Sequence, residues 1–454
     1  MSTWRILLVA SLFPLGALAA PTQSDGLAPR LAAMIAAAVD DHGPGVSVLI
    51  ARDGRILYRG ARGMASLELG VPLKPEHVFR IGSITKMFTA AAVLKLSAQD
   101  RLTLADPLSR FVPDFPNASH ITLSELLSHT SGVSDGWESD PAKPLDTAHA
   151  VRLIAGVPPD FRPGESFSYS NSGYILLGAV LEKVTGMPWH EVIRTQLLEP
   201  LHLGATGFQP DESVVAHRVS GYSQDEHGRT VLAPFVSITG PGAAGALVSN
   251  VDDLFRWVHA LTTDQALPPH FYQRMSNPVT RLDGTRVDYG FGLMLGTVRG
   301  EPVVEHNGGI EGFSSHLLYL PGPHVTVVVL ANTDSGSPSV RSLAHRLAAM
   351  AMGRPYPDLQ AVSMTSDQAK ALTGTYRSSS GVTHVLALTA GTLTVKRAGG
   401  PAHATALTAS DILFYPEDRT DYIQVVRDPE HRVIALDFYI DGLPPARHEA
   451  RVQP

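Results

Sequence analysis

The stretch RIGSITKMFTA, from Arg80 to Ala90, places a serine three positions before a lysine and continues into apolar residues. At this spacing the side chains of Ser83 and Lys86 lie on the same face of a helix, close enough to share a proton. At a helix start the backbone N–H of Ser83 has no helical partner, and the helix dipole favours negative charge there. A neighbouring base turns a serine hydroxyl into a nucleophile, and burial can lower the pKa of a lysine enough for that role. The same residues also fit a serine cap followed by a surface lysine, so the pair alone leaves both interpretations open.

A second polar segment, Tyr169-Ser170-Asn171, lies in a loop after a Pro-Gly pair and before an apolar helix. A phenol with an amide two residues later can serve a proton relay and hold a substrate amide. Asn and Ser are also good turn residues, so an ordinary turn is the alternative.

A third segment, His306-Asn307-Gly308-Gly309, ends a predicted strand. Glycine at such a place lets a backbone N–H approach a ligand closely. Asn307-Gly308 is equally a strong hairpin turn signal, which would leave His306 at a sheet edge.

The order of elements predicts an α+β fold. A helix begins near Leu27, and two apolar runs flank Asp53-Gly54, a strong two-residue turn signal. From about Phe79 to Asn277 the pattern is mostly helical, and strand signals then return before a last helix in SVRSLAHRLAAMAMG. We therefore predict a domain over residues 20–353 in which both ends of the chain build one antiparallel sheet, flanked by helices and interrupted by an inserted helical region.

The remainder of the chain has a different pattern. Residues 354–364, RPYPDLQAVSM, are typical of a linker. GVTHVLALTAGTLTVKR, DILFYPE, DYIQVVRD and RVIALDFYIDG then alternate apolar and polar residues between turn signals. This pattern predicts a small antiparallel β domain over residues 365–454.

Composition excludes several classes of function. The 454 residues are 17% charged and 44% hydrophobic, which is typical of a folded globular protein. The net charge of −7, without a basic run, argues against a nucleic-acid or anionic-membrane partner. The absence of cysteine excludes disulfides, thiolate metal sites and a cysteine nucleophile. Neither an H-E-x-x-H zinc motif nor a G-x-x-x-x-G-K-[ST] phosphate loop occurs.

The N-terminus predicts export from the cytoplasm. Arg5 precedes an apolar run that ends in Ala17-Leu18-Ala19, a small-x-small cleavage site. The run is too short for a membrane span and is interrupted by Pro14. We therefore expect residues 1–19 to be a signal peptide and the mature protein to be periplasmic or secreted, without a stable membrane anchor after cleavage.

The three polar segments together change their interpretation. S-x-x-K on a helix, Y-x-N on a loop and H-x-G on a returning strand, in that order, resemble the serine β-lactamase-related, penicillin-binding-protein-like hydrolases. That family includes class C β-lactamases, DD-peptidases, esterases and D-aminopeptidases. ITLSELLSHTSGV, PGAAGALVSNVDDL and HNGGIEGFSS are also similar to it. The resemblance covers roughly Leu27 to Gly353 and implies a β-lactamase/transpeptidase-like fold, while the C-terminal part more weakly resembles the lipocalin-like domains appended to some members.

The resemblance implies hydrolysis through an acyl-enzyme, without metal or cofactor. Ser83 would be the nucleophile, and the N–H groups of Ser83 and Gly309 would form the oxyanion hole. Lys86 and Tyr169 would share the proton transfers, and Asn171 would orient the substrate amide. The partner would be a small-molecule or peptide acyl substrate: a D-amino-acid peptide, including one derived from peptidoglycan, a β-lactam or a small ester. The alternative is a penicillin-binding or peptidoglycan-sensing module with little turnover.

One motif departs from the family pattern. Many β-lactamases and DD-peptidases have K-T-G where this chain has His306-Asn307-Gly308, and that lysine presents a positive charge to the substrate carboxylate. A histidine with an unperturbed pKa near 6.5 is mostly neutral at pH 7. We therefore assign His306 and Gly308 to substrate binding and expect carboxylate recognition to be weak or pH-dependent. Cephalosporin turnover should be slow or absent, and short p-nitrophenyl esters should be hydrolysed.

Overall fold

The computed structural model describes residues 26–263, 267–268, 270–336 and 339–452. The predicted signal peptide lies outside these ranges. Within them, no helix combines the length and the apolar character needed to cross a bilayer.

The chain contains both helices and strands, as predicted for an α+β fold. The helices are α1 (Leu27–Ala38), α2 (Thr85–Ala98), α3 (Leu123–Leu127), α4 (Thr147–Ala155), α5 (Asn171–Thr185), α6 (Trp189–Ile193), α7 (Gly242–Gly245), α8 (Val251–Thr262), α9 (Phe271–Ser276), α10 (Val340–Ala351) and α11 (Ser366–Leu372). The strands up to residue 331 are β1 (Val46–Arg52), β2 (Arg55–Arg62), β3 (Met64–Ser66), β4 (Val71–Pro72), β5 (Phe79–Arg80), β6 (Gly207–Phe208), β7 (Tyr222–Gln224), β8 (Thr230–Leu232), β9 (Leu247–Ser249), β10 (Met294–Val298), β11 (Glu301–Ile310), β12 (Phe313–Leu320) and β13 (Val325–Ala331). The remaining strands are β14 (Gly374–Ser378), β15 (Thr383–Thr389), β16 (Thr392–Arg397), β17 (Ala402–Ala404), β18 (Ala406–Leu407), β19 (Ile412–Phe414), β20 (Tyr422–Arg427), β21 (Val433–Tyr439) and β22 (Arg447–Arg451).

The main sheet has the order β10-β11-β12-β13-β1-β2, and its neighbouring strands are antiparallel. Because β13 pairs with β1, the two ends of this part of the chain meet in one sheet, which confirms the predicted α+β architecture. Asp53 and Gly54 both have positive φ, 52° and 73°, as a tight two-residue hairpin between β1 and β2 requires. α1 and α10 cover one face of the sheet through buried Leu31, Ile35 and Leu347.

The inserted region packs on the opposite face. α2 lies at its centre with nearly every side chain buried, as its apolar sequence predicts. The insertion is not purely helical, however: β5, β9 and β6 form a small sheet, and β7 pairs with β8. These strands have two or three residues each, which is too short for the period-two pattern to be recognised in the sequence.

The C-terminal residues form a separate antiparallel sheet of nine strands, in the order β17-β16-β15-β14-β22-β21-β20-β19-β18. This confirms the predicted small β architecture, with its own apolar core. α11 was not predicted. Thr365 and Gln368 close a capping box at its N-terminus, a local signal in the sequence TSDQ.

The turn between β21 and β22 packs on the turn between β10 and β11. The Oδ2 atom of Asp441 accepts hydrogen bonds from the Thr297 hydroxyl, 3.0 Å away, and from the Gly300 N–H, 2.9 Å away. Its Oδ1 atom accepts one from the hydroxyl of Tyr356. The C-terminal sheet is therefore attached to the hairpin whose second strand holds His306 and Gly309.

Candidate active site

Ser83 lies in a short 3-10 turn, Gly82–Ile84, that leads directly into α2. β5 ends just before this turn, and Gly82 has a φ of +51°, which allows the chain to change direction there. Ser83 is therefore at a helix start, as predicted, with its side chain in a cleft of about 530 Å³.

Lys86 is completely buried, with 0% of its surface exposed. Its Nζ atom contacts the carbonyl oxygens of Asn171 (Oδ1, 2.7 Å) and Ala244 (2.9 Å), and the Oγ of Ser83 at 3.1 Å. Burial lowers the pKa of Lys86 to about 7, although the charge of Asp135 works in the opposite direction. A neutral amine has two N–H groups and one lone pair. The two carbonyl oxygens can only accept, so they occupy both N–H groups and leave the lone pair for the Ser83 hydroxyl.

Tyr169 borders the same place, with the Lys86 Nζ 4.8 Å from the centre of its ring. The side chain is 37% exposed. Burial raises the pKa of its hydroxyl above the usual value, against a hydrogen-bonding interaction with Ser83 that lowers it. At neutral pH the group is a phenol, and it can pass a proton between Ser83 and the cleft.

Asn171 is the first residue of α5 and points its Oδ1 atom at Lys86. Its Nδ2 atom donates to the Oδ2 of Asp135 at 3.2 Å, so one of its two N–H groups remains for a substrate carbonyl. Asp135 was missed in the sequence. It lies in an irregular loop, 36 positions before Asn171, and only the tertiary structure brings the two together.

The oxyanion-hole prediction rests on the close approach of β11 to the nucleophile turn. A Cβ atom added to Gly82 would lie 2.8 Å from the N atom of Gly309, so the backbones of Gly309 and of Gly82, which directly precedes Ser83, are neighbours. A Cβ added to Gly309 would meet nothing within 4 Å, because this backbone faces the cleft. Ser83 and Gly309 both line the cleft, so their N–H groups stay the candidates for an oxyanion hole.

The other residues of the third motif are not among those that line the cleft. Asn307 and Gly308 are not in a turn: they pair with His316 and Ser315 inside the β11–β12 ladder, and the turn comes after Ile310. Gly308 packs against the turn before Ser83, because a Cβ there would lie 2.0 Å from the carbonyl oxygen of Ile81. Gly308 has no side chain and therefore allows the two backbones to pack this closely.

His306 is buried, and its Nε2 atom is 3.0 Å from the hydroxyl of Tyr289. Burial and the charge of Lys86 lower its pKa to about 3, so the ring stays neutral over the physiological range. The weak carboxylate recognition expected from the sequence fits this environment, whereas a pH dependence near 6.5 does not.

His129, in the segment LLSHTSGV, supports the Tyr169 loop. Its Nδ1 atom accepts the Ser170 N–H at 3.0 Å, and its ring lies 4.4 Å from that of Tyr169. Burial lowers the pKa of His129 well below the usual value. A neutral imidazole with an unprotonated Nδ1 can accept that bond.

One buried cluster has the residue types of a metal site. The Oε2 atom of Glu305 is 3.0 Å from Nε2 of His316 and 2.6 Å from Nε2 of His345. These are hydrogen-bond distances, whereas two ligands of one tetrahedral zinc ion at ~2.1 Å would lie roughly 3.4 Å apart. Burial raises the pKa of Glu305, but the two histidines outweigh it and hold that pKa below the usual range. The cluster is therefore a set of buried hydrogen bonds that links β11, β12 and α10.

The pentapeptide Gly132-Val133-Ser134-Asp135-Gly136 has the G-x-S-x-G spelling of an α/β-hydrolase nucleophile elbow. It does not have the required strand-turn-helix context, because these residues form an irregular loop. The Oγ of Ser134 accepts the Gly136 N–H at 3.2 Å. Ser134 thus stabilises a turn, and Ser83 stays the candidate nucleophile.

The cleft at Ser83 is not the largest cavity. A cavity of about 650 Å³ lies between α3 and the loop at residues 157–165, and Ser83, Lys86 and Tyr169 do not line it. The Ser83 cleft is lined by Trp137, Asn171, Ile175, Gly240, Pro241, Ala244, Gly245, Gly309, Ile310, Glu311 and Asp334, with Gly82 beside the serine. Its chemistry, and not its volume, identifies the candidate active site.

Comparison with known proteins identifies the family of this chain. Residues 31–351 match the protein family described as Beta-lactamase. Penicillin-binding protein 4* of Bacillus subtilis (strain 168) is 28% identical over 331 residues, covering 68% of this chain and 73% of that protein. The D-aminopeptidase of Gluconobacter oxydans (strain 621H) is 30% identical over 362 residues, covering 78% of this chain and 67% of that protein. The solved structure of SurE with D-Leu is 26% identical with a TM-score of 0.60, covering 94% of this chain and 99% of that chain. The chain belongs to the β-lactamase family.

Proposed function

We propose that this protein is a serine amidase or peptidase that acylates Ser83 with D-aminoacyl groups and hydrolyses the acyl-enzyme. The observation that supports this choice is the charge of the cleft. Glu311 and Asp334 line it, and no lysine or arginine does so among the described residues. A substrate with a free α-amino group is mostly an ammonium ion at pH 7, and these carboxylates attract it.

The two carboxylates differ in how many hydrogen bonds they already accept from the protein. Asp334 is bound at the β11–β12 turn, where its Oδ2 accepts the Gly312 N–H at 2.8 Å and the Ser223 hydroxyl at 2.5 Å. Glu311 is exposed, directly follows Ile310 at the end of β11, and shows no hydrogen bond from its carboxylate to a described residue. Glu311 is therefore the carboxylate whose oxygens are open to a substrate ammonium, with the Arg80 charge as its electrostatic neighbour.

His306 supports the same choice because it does not provide a positive charge. The β-lactam and carboxypeptidase substrates of the wider family present a carboxylate. In this chain the K-T-G lysine is replaced by a histidine that is buried and, with a pKa of about 3, uncharged. The site lacks a strong anchor for such a carboxylate, so a free amine is favoured over a free acid.

The proton transfers follow from the contacts of Ser83. Its Oγ atom attacks the substrate carbonyl carbon while the lone pair of Lys86 takes the hydroxyl proton, and the oxyanion forms beside the N–H groups of Ser83 and Gly309. Tyr169 gives its proton to the leaving nitrogen as the C–N bond breaks, and Lys86 returns one to Tyr169. Water then attacks the ester and gives a proton to Lys86, which restores the Ser83 hydroxyl as the acyl group leaves.

Two relatives support the D-aminoacyl assignment by name: a D-aminopeptidase and a solved structure containing D-Leu. Short D-amino-acid peptides, including those derived from peptidoglycan, fit the proposed periplasmic or secreted location. The alternative of a binding module with little turnover has less support, because the groups needed for each proton transfer are present and in contact.

The test compares five substrates: D-alanine p-nitroanilide, its N-acetyl derivative, L-alanine p-nitroanilide, p-nitrophenyl acetate and nitrocefin. We expect D-alanine p-nitroanilide to be preferred to its N-acetyl and L counterparts, p-nitrophenyl acetate to be hydrolysed, and nitrocefin to be turned over slowly or not at all. Ser83→Ala should abolish every activity.

Glu311→Gln is the matched probe for the ammonium. It should lower kcat/KM for D-alanine p-nitroanilide by about three- to fivefold, the effect of one exposed ion pair, and leave p-nitrophenyl acetate unaffected. Equal rates for the free and N-acetylated anilides, or rapid nitrocefin hydrolysis, would overturn the proposal. Turnover that is equally low in wild type and Ser83→Ala would favour the binding module.

A further inference from the structure

The carboxylate of Asp135 accepts hydrogen bonds from the residues at the N-terminus of α5. Its Oδ1 atom accepts hydrogen bonds from the Ser170 hydroxyl at 3.1 Å and from the Ser172 N–H at 2.8 Å. Its Oδ2 atom accepts from the N–H of Asn171 at 2.8 Å and from the Asn171 Nδ2 at 3.2 Å. One carboxylate thus receives four hydrogen bonds from three consecutive residues.

The bond to Nδ2 decides which way the amide of Asn171 points. With Nδ2 directed at Asp135, the Oδ1 atom of Asn171 faces Lys86 at 2.7 Å. A flipped amide would place its oxygen against the carboxylate, a repulsive contact, and its NH₂ group against Nζ of Lys86, where it would repel the ammonium form or occupy the lone pair of the neutral amine.

We propose that Asp135 is a positioning residue for acylation of Ser83: it fixes the Asn171 amide so that its oxygen occupies one N–H of Lys86 and the amine lone pair faces Ser83. The chain of contacts is Asp135 to Asn171, Asn171 to Lys86, and Lys86 to Ser83. This role holds for any acyl donor, because it concerns the base and not the substrate. It is therefore independent of the D-aminoacyl specificity proposed above.

A purely structural role is the competing explanation, since the carboxylate lies at a helix N-terminus. α5 already has a cap of its own, because Ser170 accepts the Gly173 N–H at 3.1 Å through its side chain. Capping alone therefore does not explain why Asp135 also holds the Asn171 side chain.

The experiment replaces Asp135 with asparagine, which has the same shape but one acceptor fewer. In Asp135→Asn an NH₂ group faces either the two donors of Asn171 or those of Ser170 and Ser172, and the amide of Asn171 loses its fixed direction. Asp146→Asn is the matched control. Asp146 caps α4 by accepting the His149 N–H at 2.6 Å, and it belongs to no part of the site.

A fluorophosphonate probe measures acylation-like attack at Ser83 directly. The Oγ–P bond forms, the P–F bond breaks, fluoride leaves and the hydroxyl proton passes to Lys86. We expect the labelling rate constant to fall about tenfold or more in Asp135→Asn, as for other displaced catalytic groups, and to be unchanged in Asp146→Asn.

The pH profile separates positioning from folding. Loss of the Asp135 charge and of the Asn171 contact both disfavour the ammonium form of Lys86, so the acid limb of the labelling rate should move to lower pH in Asp135→Asn. A variant that is merely less folded keeps the wild-type midpoint. The other titratable groups that face Lys86 are unchanged in this comparison: Tyr169, Tyr174, His129 and His306.

A double-mutant comparison tests the route through Asn171. If Asp135 acts through that amide, Asp135→Asn should have little further effect on labelling in an Asn171→Ala background. Full additivity, or a wild-type rate and midpoint in folded Asp135→Asn, would overturn the proposal. Absence of labelling in wild type would overturn both this proposal and the proposed function, whereas normal labelling without D-alanine p-nitroanilide hydrolysis would overturn only the latter.

Discussion

The amine nitrogen of Lys86 lies 3.1 Å from the hydroxyl oxygen of Ser83, and its two other neighbours are carbonyl oxygens. Because carbonyl oxygens only accept, the neutral amine has a single direction in which to accept a proton, and that direction is Ser83. The relationship links the S-x-x-K spacing to a chemical function that spacing alone leaves open.

The first prediction concerns pH. Since only the neutral amine can take the Ser83 proton, and the pKa of Lys86 is about 7, labelling by a fluorophosphonate should rise with pH and reach half its maximum near pH 7. The rate is lost as pH falls below this value. Stopped-time labelling from pH 5 to 9 measures the midpoint, and Lys86→Arg should remove the rise. A midpoint near the usual lysine value of about 10.4 would contradict the buried-base assignment.

The second prediction concerns the phenol. Tyr169→Phe keeps the ring beside Lys86 but removes the hydroxyl, so kcat should fall by about 10²–10⁴ as for loss of a general acid or base. Intact mass spectrometry during turnover identifies the affected step. Accumulated acyl-enzyme would indicate slow deacylation, and its absence slow acylation. Near-wild-type turnover would exclude Tyr169 from the proton transfers.

The third prediction concerns His306. Because its pKa is about 3, the ring does not titrate between pH 5 and 8 and should impose no inflection there. His306→Gln, which can still hydrogen-bond to Tyr289, should retain the shape of the wild-type pH profile, even if its melting temperature falls. A profile whose inflection near pH 6.5 disappears in His306→Gln would show that the ring is charged and accessible after all.

The fourth prediction tests the oxyanion hole. In Gly82→Ala the new methyl group would lie 2.8 Å from the N atom of Gly309 and push β11 away, so kcat should fall by about 10²–10³, as when one oxyanion donor is lost. Gly228→Ala is the control. Gly228 also has a positive φ, 74°, but a Cβ there meets nothing within 4 Å. A similar loss of activity in both variants would indicate general backbone strain.

The fifth prediction concerns the attachment of the C-terminal sheet. Asp441→Ala removes the acceptor for the Gly300 N–H and the Thr297 and Tyr356 hydroxyls, and should destabilise the fold by about 1–3 kcal/mol. Chemical denaturation measures this, with Asp367→Ala, an exposed residue in the first turn of α11, as the control. Because the side chain of Asp441 bonds to Thr297, Gly300 and Tyr356, and none of these touches Lys86, the pH midpoint of Ser83 labelling should not change. A shifted midpoint would mean that the C-terminal sheet tunes the base.

Local patterns in the sequence were sufficient for several features. The helix at Ser83, the Asp53-Gly54 hairpin and the antiparallel character of the sheet all depend on neighbouring residues, and the structure confirms them. The Asn307-Gly308 pair shows the limit of such signals. It has the letters of a turn, but pairing with His316 and Ser315 holds it inside a strand, because the ladder and the packing of Gly308 on Ile81 outweigh local turn preference.

The sequence by itself determined the order of the elements and the presence of a serine, a lysine, a tyrosine and an asparagine with the chemistry of an acyl-enzyme hydrolase. Tertiary structure decided what those groups can do. The apolar sequence of α2 predicts a buried helix, but only the packed fold shows that the polar side chains of Lys86 and His306 are themselves buried. That burial lowers the pKa of Lys86 and keeps His306 neutral. Asp135 joins the site from a distant loop, because contacts between segments 36 positions apart form only when the chain is folded.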